Sequence, residues 1–136
     1  MAIQFSIANR NARLDAIEAY AGVSCALEIR TGAPPANCAT AGTGSIIATI
    51  NLPADWMNNA ASGSKTKLGT WTVAASGSGT AGHFRVYNSQ ATKDNTTCFI
   101  QGTCGIGTGD LQFDNTAIVA PQTVTVNTFT FTDGNS

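Results

Sequence analysis

Charge is scarce in this sequence. Asp, Glu, Lys and Arg together make up 11% of its 136 residues and almost cancel, leaving a net charge of -1. Without a basic excess there is no electrostatic hold on nucleic acid or on an anionic membrane surface, so neither is expected as a partner. Long apolar runs are missing too, and nothing approaches the roughly eighteen consecutive apolar residues of a membrane span. The opening residues, Met1 to Arg10, lack the basic start and continuous apolar stretch of a secretory signal, which predicts synthesis in a cytoplasm. Histidine is reduced to His83 alone, which limits acid-base or triad chemistry to one candidate base.

What remains is enough to fold. Hydrophobic residues are 43% of the chain, too many for a disordered one, although Ala, Gly, Thr and Asn supply much of the bulk. The length suits one domain able to bury roughly two-thirds of its unfolded surface. Cys25, Cys38, Cys98 and Cys104 allow three disulfide pairings that the sequence does not choose among, and a reducing cytoplasm predicts free thiols. Their spacing lacks the CxxC-type pairs of a zinc site, so no metal is expected.

Residues 7 to 20 carry a helical period through Ile7, Leu14 and Ile17, with Ser6 as cap and Gly22 as terminator. Arg10 and Arg13 near the start and Asp15 and Glu18 farther on oppose the macrodipole, so this helix needs packing to hold it. After Gly22 the period becomes two. Strands are expected at Cys25 to Arg30, Ile46 to Leu52, Lys65 to Ala74, Phe84 to Tyr87, Cys98 to Gln101, Leu111 to Phe113, Ala117 to Val119 and Val124 to Phe131, with a single helical turn at Ala54 to Met57. In the last strand, Val124 and Val126 have opposite parity to Phe129 and Phe131, which predicts a bulge or two-sided burial near Asn127-Thr128. Thr31 to Thr43 is a long loop stiffened by Pro34-Pro35.

This pattern predicts a mainly β fold: an antiparallel, jelly-roll-like β-sandwich (23–136) preceded by an arm and one N-terminal α-helix (1–22). Its expected core is Leu27, Ile29, Ile46, Ile50, Leu52, Trp71, Phe84, Val86, Ile100, Leu111, Phe113, Val124, Val126 and Phe131.

Chemistry-bearing motifs are weak. Gly102 to Gly109 is glycine-rich, but no helix or Lys follows it, so it reads as a wide turn and not a phosphate loop. Ser78 sits in a Gly-Ser turn without a nucleophile-elbow pattern, and His83 is expected to face solvent or a subunit contact. The eight carboxylates are scattered. No catalytic residue, cofactor or metal is expected, and the chain does not read as an enzyme. Trp56 and Trp71 are candidates for stacking on a sugar, which makes a carbohydrate-binding module the rival reading.

Several stretches carry a resemblance. Asn11 to Glu18 (NARLDAIE), Leu27 to Ala36 (LEIRTGAPPA), Leu52 to Met57 (LPADWM), Gly79 to Arg85 (GTAGHFR) and the Thr-rich end Val124 to Gly134 resemble small proteins of tailed bacteriophages and prophages, over nearly the whole chain. Small β-rich proteins of that kind commonly decorate capsids. The resemblance implies a cement protein on the capsid exterior, homo-oligomeric and made in the bacterial host's cytoplasm. Its partner would be the major capsid protein or another virion protein, with a neck or tail accessory role as the alternative. The partner surface is expected at the arm Met1 to Arg10 and the loop Thr31 to Thr43, with Ile3, Phe5, Arg10, Arg13, Pro34 and Pro35 as candidate contacts. The alternative is a helix that covers its own sheet edge and a loop that lies over the surface.

Overall fold

The computed structural model describes residues 3–134, so Met1 and Ala2 of the expected arm lie outside the described residues. Helix α1 spans Ile7–Ala21, one residue beyond the expected end. Ser6 Oγ accepts from the Asn9 amide, and Gly22, at φ 77°, donates its N–H to the Glu18 carbonyl.

Among the described residues ten strands follow: β1 (Ala26–Thr31), β2 (Ile46–Asn51), β3 (Ser64–Thr66), β4 (Thr72–Ala74), β5 (Gly79–Tyr87), β6 (Cys98–Gly105), β7 (Leu111–Gln112), β8 (Ala117–Ile118), β9 (Thr123–Thr125) and β10 (Thr128–Thr132). The main sheet runs β2-β1-β5-β6-β7-β10-β3, with β8 paired to the start of β5, while β4 and β9 form a separate ribbon. The fold is therefore mainly β with one N-terminal helix. It is not purely antiparallel as expected: β6 and β7 pair in parallel, so the main sheet is open and mixed.

Three local expectations are corrected. Ile46 faces out at 41% exposure because the β1–β2 register slips between Ile29 and Arg30, and this bulge turns Ile47 into the core instead. The Lys65 to Ala74 segment is two strands, β3 and β4, parted by Gly69 at φ 78°. Ala54 to Met57 makes no helical turn, since Met57 bridges to Lys67 in extended pairing.

The parity conflict near Asn127 is resolved by a break. Val124 and Val126 are buried on the β4–β9 side, and the chain then joins β7 and β3 through β10, where Phe129 is buried and Phe131 half-buried. Phe129 sits in a run of aromatic contacts that crosses the core. Tyr20 of α1 meets Phe99, Phe99 meets Trp56, Trp56 meets Trp71, and Trp71 meets Phe129, which also touches Phe84 and Phe131, at centroid separations of 4.9–6.3 Å. The helix is thereby coupled to the sheet through side chains far apart in sequence.

The glycine-rich segment is only partly a turn, because β6 continues through Gly102 to Gly105. Gly102 is paired with Phe84, and a Cβ there would lie 2.8 Å from the Phe84 ring. Because Phe84 is 1% exposed and cannot retreat to solvent, Gly102→Ala is expected to destabilise the protein by about 1–2 kcal/mol, measured by urea unfolding. Gly107→Ala, at a position with open space around it but a φ of 66°, should cost about 1–2 kcal/mol through the left-handed backbone alone.

Candidate functional site

A half-buried strand keeps its polar parity in water, yet β1 and β5 are buried on both faces. Leu27, Ile29, Phe84 and Val86 face the apolar core. On the opposite parity, Glu28, His83, Arg85 and Tyr87 are all 3% exposed or less, which corrects the expectation of an outward-facing His83. The cover is the loop after β1. Its backbone lies across this polar face, and a Cβ at Gly82 would run into the Gly32 carbonyl.

The face binds that loop through its carbonyls. Arg85 Nη2 donates to the carbonyls of Cys38 (2.7 Å) and Thr40 (2.9 Å), and Gln101 Nε2 donates to that of Pro35 at 2.7 Å. Arg30 Nη1 reaches the Thr43 carbonyl at 3.2 Å, and Asn95 Nδ2 the Ala39 carbonyl at the same distance. His83 Nδ1 lies 2.9 Å from the Gly32 carbonyl, which only accepts, so Nδ1 is the donor. Pro34 and Pro35, candidate contacts, are half-buried in this strap.

Charge on the face is handled unevenly. Glu28 Oε1 accepts from Arg30 at 3.0 Å and from the Tyr87 hydroxyl at 2.7 Å, and burial, reinforced by Glu28, drives the Tyr87 hydroxyl well above its ordinary value. Arg85 has no carboxylate within ion-pair distance among the described residues. Its Nε donates instead to Cys98 Sγ at 3.2 Å. Three buried polar atoms here lack a protein partner: Arg85 Nη1, His83 Nε2 and Gln101 Oε1.

The helix is held by a second polar cluster. Lys65, 1% exposed on β3, contacts Asp15 at 2.7 Å and Glu18 at 2.9 Å, while Asp15 also accepts from the Ala60 amide. At the other end, Arg13 pairs with Asp133 at 2.9 Å and stacks on Phe5, and Arg10 donates to the Asp133 carbonyl. The charges that oppose the macrodipole are thus answered by the sheet. Of the candidate contacts, Arg10, Arg13 and Phe5 are engaged within the chain, Phe5 while 40% exposed, and Ile3 is 76% exposed.

Trp56 and Trp71 are both fully buried, so neither offers a ring face for a sugar. Among the described residues no cluster of three or more His, Cys, Asp or Glu has the geometry of a metal site, and no helix is long and apolar enough to cross a membrane. The buried polar face carried no motif: its members are read only when β1, β5 and β6 are seen paired, since Glu28, Arg85 and Gln101 are neighbours across the ladder.

Comparison with known proteins adds no relative: no family model, no curated protein and no solved structure matches the chain.

The Lys65 cluster makes stability depend on pH in two directions. The Lys65 hydrogen bond, and after it the Ala60 amide, holds Asp15 below its ordinary value of 3.8. This stabilisation is present above that value and is lost as pH falls through the lower folded-state one. Burial alone would pull Lys65 down, but Asp15 and Glu18 outweigh it and raise it above 10.5, so its share is lost as pH rises through that raised value. Lys65→Ala is expected to cost about 2 kcal/mol near pH 7, less than a fully buried pair because Asp15 keeps solvent contact, and to flatten the acid limb of the stability profile. Urea unfolding between pH 3 and 7 measures both.

Proposed function

We propose that the chain is a virion structural protein, a capsid decoration protein that binds the shell of the major capsid protein from outside. The observation that carries this reading is where its exposed apolar side chains lie. Of the eight large apolar residues exposed among the described residues, five (Ile3, Phe5, Ile7, Tyr20 and Val23) fall in the arm, on the helix or just after it. Exposed apolar side chains concentrated in one stretch of chain support a contact with another protein there. The sheet beneath supports the reading in another way. Its strap and polar face are closed on themselves, which suits a protein that stabilises a particle by surface contact and turns over no substrate.

The proposal includes a homo-oligomeric state and a jelly-roll-like sandwich, in which the β4–β9 ribbon serves as the second layer opposite the main sheet. The resemblance to bacteriophage proteins supplies the partner class, and the arm supplies the surface.

Ile3→Asp combined with Val23→Asp should reduce incorporation into particles at least tenfold while moving the isolated protein's unfolding midpoint by less than about 0.5 kcal/mol. Quantitative mass spectrometry of purified virions reads the first. Copies in fixed proportion to the major capsid protein are expected. A ring-sized complement would place the protein at a neck, and normal incorporation of the double variant would remove the arm as the binding surface.

A further inference from the structure

Arg85 is a buried cation that meets neutral carbonyls and one thiol. Its guanidinium spans two cysteines from distant parts of the chain: Nε donates to Cys98 Sγ at 3.2 Å, and Nη2 to the backbone carbonyl of Cys38 at 2.7 Å. The Cys38 thiol is near enough to help raise the titration of the Cys98 thiol, behind burial as the main cause. Next along the strap, Asn95 Nδ2 donates to the Ala39 carbonyl, fixing this part of the strap against the turn that leads into β6. All four cysteines are free thiols. Cys25 lies instead under the end of α1, its Sγ 3.6 Å from the Ala21 carbonyl. Cys104 is held at the far end of β6, next to Asp110.

We propose that Cys38 and Cys98 are a redox pair that closes to a disulfide across the strap when the protein meets a small disulfide oxidant such as oxidised glutathione. Of the three pairings the sequence allows, this bond belongs to the one that joins the two cysteines Arg85 holds. Cys38, half-exposed on the strap, is the thiol an oxidant reaches first. Its thiolate attacks one sulfur of the oxidant, forming a mixed disulfide and releasing one glutathione thiolate. Cys98 then gives up its proton to solvent or to the departing thiolate and attacks Cys38 Sγ, releasing the second glutathione. Two protein thiols are oxidised and one glutathione disulfide is reduced to two thiols, so electrons and protons balance. Burial pushes the Cys98 thiol up to about 11, and Arg85 is the neighbour that works against this by donating to the sulfur. Arg85 is thus a positioning residue for the second step. Closure would tie the strap covalently to β6 over the polar face.

The test is incubation of the folded wild-type protein with oxidised glutathione at pH 8, followed by thiol titration and non-reducing peptide mapping. The expected result is a fall from four titratable thiols to two, a cross-linked peptide pair containing Cys38 and Cys98, and full reversal by dithiothreitol. Cys104→Ser should form the same cross-link, and Cys38→Ser should form none. The proposal is overturned if four thiols persist, if Cys38 stops at the glutathione adduct, or if the cross-link joins any other pair.

Discussion

A charged guanidinium on the central strand of a sheet must be given acceptors, and in this protein Arg85 sets that demand. It is fully buried on β5, between β1 and β6, with no carboxylate within ion-pair distance among the described residues. Burying an ion in that way is tolerable only when several dipoles converge on it. The strap supplies them, since its carbonyls at Cys38 and Thr40 point back at Nη2. The long loop after β1 therefore has a place in the fold that its composition does not disclose. It is the lid that makes a buried Arg85 possible, and Arg85 in turn keeps the lid closed.

The helix obeys the same logic with the signs spread out. Alone, α1 has cations near its positive end and anions toward its negative one, a poor arrangement for an isolated helix. Packed on the sheet, Arg13 finds Asp133 beyond β10, and Asp15 and Glu18 find Lys65 on β3. Helix propensity and tertiary electrostatics pull in opposite directions, and the tertiary contacts win because Lys65 is nearly out of water, where a close pair is worth more than a macrodipole term. The pairing also fixes the orientation of the helix. Leu14 and Ala21 turn inward while Ile7 and Tyr20 remain outside.

How much of this was legible in the sequence follows from which interactions are local. The helix, its caps and most strands were, because period and capping are properties of neighbouring residues. The break at Asn127 was too, as a parity conflict. Ile46 was placed wrongly because a bulge is set by the partner strand, which a single segment does not reveal. Alternation points His83 outward because it reports one buried face; the strap that buries the other comes from a segment about fifty residues upstream in sequence. Trp56 sat in a segment without periodicity, so its place in the aromatic run depended on contacts with Trp71 and Phe99 alone.

The strap is bound through its backbone, and this has a consequence for what its surface can do. Any residue offers a carbonyl, so the bonds from Arg30, Arg85 and Gln101 place no demand on which side chains the strap carries. Specification of its path lies in β1, β5 and β6, together with glycines where the chain passes too close for a Cβ, at Gly82 and at Gly44 against the Thr31 carbonyl. The strap's backbone is held in place by these buried donors, and Thr40 and Thr43 add side-chain bonds of their own, to Asn37 Oδ1 and the Ala33 carbonyl. A backbone held in this way loses little entropy on docking. On the function proposed above, the exposed arm would add apolar area, so that the arm would give the contact its affinity and the strap its shape.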